Sequence, residues 1–254
     1  MTLEQFFKEN PTVALGFSGG VDSSYLLYAA KHYGANVKAY YGSSVFQPAF
    51  ELKDAQEIAE IIGAEITVIE MDVLSNEQVV ANPVNRCYYC KVAIFGTLCA
   101  RAKADGIPLV IDGTNASDDA SDRPGMKALL ELSVRSPLRE CNITKDDVRR
   151  LSKEAGLPTW NKPAYACLAT RVPPDMPITK ELLHRVEKSE EALFALGFLD
   201  FRVRVMEAAN SLQAKLQFPH EQMNTLLEKR HEVVKQIKPY FPSILLDLQG
   251  RHEV

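Results

Sequence analysis

The sequence predicts an α/β protein: a doubly wound, Rossmann-like parallel sheet followed by a smaller C-terminal α+β domain. Three observations lead there. Short apolar runs alternate with helical patterns through the first 160 residues. A Ser-Gly-Gly-x-Asp-Ser run follows the first apolar run directly. The order of elements then changes beyond a proline-rich stretch at 157–178. Strands separated by helices call for a parallel sheet covered on both faces.

Each element has its own signal. The run Val13-Ala14-Leu15-Gly16-Phe17 reads as a buried strand, and Tyr25, Leu26, Leu27, Ala29 and Ala30 open an amphipathic helix. Residues 37–41 and 65–69 read as strands. Between them, Leu52, Ala55, Ile58, Ala59 and Ile62 recur at helical spacing over 51–62. A helix over 92–104 precedes a strand at 109–112, which runs into Gly113-Thr114-Asn115. Thr144, with Asp147 three residues on and Gly156 as a stop, marks a capped helix over 144–155. Pro158, Pro163, Pro173, Pro174 and Pro177 then break any regular element. Beyond them come a helix (179–196), strands (201–206 and 212–218), a helix (222–237) and a last strand (244–248). Three regions follow: a first domain over 1–160, a cysteine-bearing loop over 161–178, and a small α+β domain over 179–254.

Composition sets the class. The chain has 254 residues, 46% hydrophobic and 24% charged, with a net charge of −4. No apolar run approaches the roughly 20 residues a membrane span needs, and the first residues lack the pattern of a signal peptide. Five cysteines, an odd number without an extracellular framework, point to a reduced, cytoplasmic setting. The negative charge argues against a nucleic-acid partner.

The loop at 18–24 carries most of the chemistry. A strand ends, Gly19 and Gly20 turn the chain, and a helix begins, so backbone N–H groups and a helix N-terminus converge in the way that suits a phosphate. Ser18 and Ser23 add hydroxyls, and Val21 lies within the same run. Asp22 does not favour a bare phosphate; it faces a bound Mg²⁺ or caps the helix. There is no Gly-Lys-Ser/Thr as in the loops of kinases and GTPases, and no G-x-G-x-x-G. The run resembles the pyrophosphate loop of the ATP pyrophosphatases, a resemblance that implies ATP cleavage between the α- and β-phosphates.

Other residues leave two readings open. Cys167 sits in the proline-rich loop, either as a reactive thiol, with Arg171 nearby to favour thiolate, or as a small buried residue. Arg202 and Arg204 alternate along a strand and share a face, as an anion site or as an exposed polar face. Cys87 and Cys90 form C-x-x-C: half a zinc site, a redox pair, part of an iron–sulfur site, or simple packing beside Tyr88 and Tyr89. Tyr88 has a ring that can stack on a flat substrate. Ser43 and Ser44 follow the second strand, where adenine or ribose is commonly met, or are turn hydroxyls. Gly113 permits close backbone approach to a nucleotide. The acidic run 118–122 reads as a solvated loop, and the five histidines show no ligand spacing.

Taken together, several segments look like the LarE family, ATP-dependent sacrificial sulfur transferases of nickel-pincer nucleotide biosynthesis for lactate racemase. They are Ser18 to Ser23, Arg86-Cys87-Tyr88-Tyr89-Cys90-Lys91, Asp112-Gly113-Thr114-Asn115, Asp122-Arg123-Pro124-Gly125 and Ser136-Pro137-Leu138. They continue with Gly156-Leu157-Pro158-Thr159-Trp160, Lys162-Pro163-Ala164, Ala166-Cys167-Leu168 and Arg202-Val203-Arg204. The resemblance implies an adenine nucleotide alpha hydrolase-like fold. It implies ATP and Mg²⁺ as cofactors and a pyridinium dicarboxylate mononucleotide as substrate. It makes Cys167 the sulfur donor, left as dehydroalanine. Arg171 joins Tyr88, Arg202 and Arg204 as substrate-binding, and Glu190 and Glu221 stand where the family has metal-binding acids, although each reads on its own as a solvated helix residue. The single cysteine in Ala166-Cys167-Leu168 favours the sacrificial type over the three-cysteine cluster type. A homo-oligomer, with a hexamer as the expected size, is also implied. A tRNA thiolase and a non-catalytic ATP-binding module are the competing readings.

Overall fold

Helix α1 (Leu3–Glu9) opens the chain, fixed at its start by a reciprocal capping box between Thr2 and Gln5. This computed structural model describes residues 1–118, 124–208 and 211–251. They fall into two compact units, Met1–Val79 with Asn85–Lys162, and Val80–Val84 with Pro163–Val254. In the first, α1 leads to β1 (Thr12–Gly16), α2 (Val21–His32), β2 (Asn36–Ser43), α3 (Ala49–Ile62) and β3 (Ile66–Glu70). The one-turn α4 (Glu77–Val80) and the long α5 (Arg86–Ala104) precede β4 (Val110–Ile111). Then come α6 (Pro124–Glu131), the short α7 (Pro137–Glu140) and α8 (Lys145–Glu154).

The four strands form a parallel sheet in the order β3-β2-β1-β4. Its strands alternate between two cores, as a pleat of period two requires. Val13 and Leu15 of β1, with Ala39 and Tyr41 of β2, pack under α1, α2, α3 and α8. Ala14, Tyr40 and Val110 face the other way, onto α5 and α6. Chain order reverses at β1, which has β2 on one side and β4 on the other. That is the switch point at which sheets of this kind leave a crevice beyond their carboxyl ends.

The second unit holds α9 (Lys180–Ala195), β5 (Arg202–Ala208), β6 (Ser211–Gln217), α10 (Met223–Glu228), α11 (Arg230–Ile237) and β7 (Ser243–Leu246). Strand β6 is the centre of its sheet, antiparallel to β5 and parallel to β7. Phe198, Phe201, Phe218 and Phe241 are almost wholly buried, and the Phe198 and Phe218 rings meet edge to face at 5.0 Å.

The α/β class expected from the sequence is present, with local corrections. Helix α5 starts at Arg86 rather than at 92: after the buried Arg86, residues 87–91 are exposed or half-exposed and the apolar period begins only later. The helix expected over 222–237 is two helices meeting at Lys229, whose ammonium donates to the Leu196 carbonyl. Asp122-Arg123 and residues 119–121 of the acidic run lie outside the described residues, as does His252.

Residues 80–84 join the second unit through Asn82. This buried amide donates to the carbonyls of Pro173 (2.7 Å), Met176 (3.2 Å) and Val172 (3.4 Å), so it gathers a turn that prolines deprive of backbone donors. Asn82→Ala is expected to destabilise the chain by about 1–3 kcal/mol, the cost of leaving buried carbonyls unpaired. Thermal melting of the variant against the parent measures it.

Candidate functional site

Between β1 and α2 the chain turns at Gly19, whose φ of +69° lies in the left-handed region. A Cβ there would stand 2.8 Å from the Ala55 Cα of α3. Glycine is therefore required twice, by conformation and by space. Gly20 is the N-cap of α2 and supplies no side-chain acceptor. The first-turn N–H groups are thereby left for an acceptor from outside the helix. This removes the capping alternative for Asp22, which lies within the first turn and not ahead of it. The Ser18 and Ser23 hydroxyls sit 3.1 Å apart, and Ser23 Oγ donates to the Gly20 carbonyl. Val21 is 4% exposed and belongs to the core, so only its backbone can serve a ligand.

A buried polar network ties the end of β4 to this loop. Asp112 accepts from Ser136 Oγ (2.6 Å) and from the Thr114 hydroxyl and N–H. Asn115 Nδ2 donates to Asp22 Oδ1 at 3.1 Å. The other Asp22 oxygen pairs with Lys145 at the start of α8. Gly113 is explained by the same junction: a Cβ would lie 3.0 Å from the Ser23 nitrogen and 3.3 Å from the Asp22 Cβ. The close approach it permits is thus to the first turn of α2.

Two cations flank the loop that the sequence reading did not single out. Lys145 stands on Asp22. Lys162 reaches Asp54 Oδ2 at 2.7 Å and the Gly19 carbonyl at 3.4 Å. Lys162 lies in one of the matching motifs, and its distance of more than 140 residues from Gly19 hid the contact. Convergent N–H groups, two hydroxyls and two ammonium groups can together hold a polyanion such as pyrophosphate.

In the second unit, Cys167 is half-buried at the head of a 3₁₀ turn, Leu168–Arg171. The carbonyls of its segment are held by three guanidinium groups. Arg171 Nη1 donates to the Ala166 carbonyl (2.8 Å) and the Cys167 carbonyl (3.4 Å). Arg202 Nη2 takes the Ala164 carbonyl and Arg204 Nη1 the Thr170 carbonyl, each at 2.8 Å. Arg202 and Arg204 do share one face of β5, and here it is turned to protein. Burial, with the neighbouring charges of Arg171 and Arg251, pushes Arg202 down to about 10, and the same causes lower Arg204. Arg171 is instead raised: burial lowers it, and hydrogen bonding and charge from Glu190 outweigh that.

Glu190 is not solvated. Its carboxylate is buried on α9 and accepts from Arg171, the Tyr165 hydroxyl and the Val203 N–H. Glu221 lies exposed in the 3₁₀ turn His220–Gln222. Among the described residues no cluster of three or more His, Cys, Asp or Glu could hold a metal ion. Cys87 is exposed and Cys90 half-buried, one turn apart on α5, so neither is packed in a core. Tyr88 donates to Glu131 at 2.6 Å, and that bond raises the pKa of its hydroxyl. Ser44 donates to Gln47 at 2.6 Å, a turn contact, whereas Ser43 closes β2 opposite Glu70.

With this geometry established, likeness to known proteins becomes informative. A pyridinium-3,5-bisthiocarboxylic acid mononucleotide synthase of Lactiplantibacillus plantarum is 32% identical over 252 residues, covering 98% of this chain and 90% of that protein. The chain belongs to the LarE family. An uncharacterised protein of Synechocystis sp. is 38% identical over 252 residues, covering 98% of this chain and 92% of its own. A tRNA-specific 2-thiouridylase of Pseudothermotoga lettingae is 25% identical over 59% of this chain and 53% of its own length. No protein-family model matches the chain. The LarE match runs through both units, so it takes in the glycine-turned loop and Cys167 alike.

The loop's steric demand is testable without any ligand. Gly19→Ala should destabilise the chain by about 2–4 kcal/mol, combining a left-handed residue with overpacking against Ala55. A fall in urea midpoint without a change in slope would register it.

Proposed function

We propose that the chain is an ATP-dependent sulfur transferase. It adenylates a carboxylate of a pyridinium dicarboxylate mononucleotide and gives that carboxylate the sulfur of Cys167. The observation that carries this reading is the end-to-end likeness to the synthase named above in a chain whose switch point holds a glycine-turned loop and a helix N-terminus without a side-chain cap. The first unit would bind the nucleotide, and the second would carry the donor cysteine and the contacts of a homo-oligomer.

Chemistry dictates the order of steps. A carboxylate does not react usefully with a thiolate, so it must first be made an acylating agent. Its oxygen attacks the α-phosphorus of ATP, pyrophosphate leaves, and an acyl adenylate forms. The N–H groups of Val21 to Ser23, the Ser18 and Ser23 hydroxyls, Lys145 and Lys162 are the groups to receive the pyrophosphate. Gly113 and Ser43 lie at the ends of β4 and β2, where adenosine would sit. Mg²⁺ brought in with ATP would neutralise charge on the departing pyrophosphate, with Asp22 as its ligand. Each carboxylate at the loop is paired with a lysine here, so metal and lysine are alternative counter-charges for it.

The Cys167 thiolate then attacks the acyl carbon and displaces AMP, giving a thioester. Removal of the cysteine α-proton sends an electron pair into a Cα–Cβ double bond as the Cβ–S bond breaks. The product leaves as a thiocarboxylate and residue 167 remains as dehydroalanine. Arg204, less buried than Arg202, is the guanidinium best placed to exchange a carbonyl for the substrate's phosphate or carboxylate, and Tyr88 offers a ring face.

Intact-protein mass spectrometry tests the central step. Turnover with ATP, Mg²⁺ and the pyridinium substrate should remove the elements of hydrogen sulfide from Cys167, and an unchanged mass after confirmed product formation would refute self-donation. Cys167→Ser should still release pyrophosphate and yield no thiocarboxylate. A Cys87→Ser/Cys90→Ser double variant should keep sulfur transfer; its complete loss, with thiolation of tRNA by the parent, would favour the thiouridylase reading. Lys162→Met should lose about 10–100-fold in kcat/KM for pyrophosphate release, the worth of one charge-assisted hydrogen bond.

A further inference from the structure

We infer that Glu190 and Arg171 are positioning residues for Cys167, an inference that rests on the proposed role of that cysteine as sulfur donor. The pair is sealed from solvent, with side chains 0% and 2% exposed for Arg171 and Glu190. One edge of the guanidinium lies on the carboxylate: Nε donates to Oε1 at 2.9 Å and Nη2 to Oε2 at 3.1 Å. The remaining nitrogen, Nη1, reaches the turn that bears the sulfur. It donates to the Ala166 carbonyl at 2.8 Å, to the Cys167 carbonyl at 3.4 Å and to Thr170 Oγ1 at 2.9 Å. The Thr170 N–H and hydroxyl both donate to the Cys167 carbonyl, at 2.9 and 2.8 Å. The peptide groups before and after Cys167 are therefore both fixed, and with them the direction of its Cα–Cβ bond.

Glu190 in turn is fixed by elements other than the turn. Its Oε1 accepts from the Val203 N–H of β5 at 2.9 Å. The carboxylate thus relays the position of the α9–β5 framework through Arg171 to the donor residue. Only a planar fork does this: an ammonium would satisfy the carboxylate or the carbonyls, not both along two edges. A buried ion pair is a weak source of stability compared with packed apolar side chains of the same volume. Attack on an acyl carbon, by contrast, is sensitive to displacements of an ångström. Placement of the sulfur is thus what the pair supplies and an apolar pair would not.

An apolar replacement of both residues separates holding the fold from holding the cysteine. The full-length Arg171→Met/Glu190→Leu variant should fold and melt below the parent, because the Val203 N–H and the Ala166 carbonyl lose their side-chain partners. Amide exchange at Thr170 should quicken at least tenfold, with α5 unchanged as the internal control. Thiocarboxylate formed per pyrophosphate released should fall 100-fold or more. Parental exchange at Thr170, or faster exchange with parental sulfur transfer, would overturn the inference. Should the double variant not fold, Arg171→Lys takes its place, with faster Thr170 exchange and at least tenfold weaker transfer expected; parental values for either would overturn it. A parent chain that neither releases pyrophosphate nor changes mass at Cys167 would defeat the proposed function, and Thr170 exchange in the variants would still report whether the pair holds the turn.

Discussion

The steric fit of Gly19 against Ala55 is the constraint on which the first unit's chemistry depends. A positive φ at the end of β1 reverses the chain within two residues, and the absence of a Cβ lets the turn lie on α3. Gly20 then starts α2 without a side-chain cap. Had the N-cap been serine or aspartate, its oxygen would have occupied an N–H that an incoming phosphate could take. The same economy of side chains recurs at Gly113, where β4 comes against the first turn of α2. Two glycines on neighbouring strands at the sheet's switch point thus leave backbone donors uncovered at the place where a parallel sheet leaves a crevice.

Around that backbone the polar side chains do different work. Asp112, Ser136 and Thr114 satisfy one another in a buried set and hold the end of β4. Asn115 carries that order to Asp22. These contacts give the Asp-Gly-Thr-Asn segment an architectural meaning: it sets the position of the loop's carboxylate whether or not it ever touches a ligand.

Much of this was legible in the sequence. The continuous apolar run Val13-Ala14-Leu15, and the helical recurrence of Ala55, Ile58 and Ala59, announced a buried parallel sheet, because apolar pattern follows directly from which faces are covered. The Ser-Gly-Gly loop was legible because glycine at a strand–helix junction has few other uses. Contacts between residues distant in sequence were not. Lys162 lies on Gly19 and Asp54, and nothing in its own neighbourhood announces that. Glu190 illustrates the same limit. A glutamate in a charged helix segment, Glu187-Lys188-Ser189-Glu190-Glu191, reads as solvated. Its burial depends on Arg171 and Val203, which tertiary packing alone brings to it. Arg202 and Arg204 were correctly read as sharing a face, but a strand's period says which side chains go together and not what they meet.

Exposure then decides which of these charges a ligand can recruit. The side chains of Lys145 and Asp22 are 31% and 23% exposed, and those of Lys162 and Asp54 are 23% and 38%. Such pairs are worth little in water, so a phosphate can take either lysine at small cost, the released carboxylate being left to solvent or to a metal. Arg171 and Glu190 are shut away, and separating them would strand a charge in a medium that cannot solvate it. The chain therefore carries two kinds of ion pair with opposite uses. At the glycine-turned loop the cations are held loosely and are open to exchange. At the cysteine turn the cation is committed, its remaining hydrogen bonds given to backbone carbonyls and the Thr170 hydroxyl. On the proposed function, a loop that accepts and releases a polyanion is suited by the first arrangement, and a sulfur presented in one direction by the second.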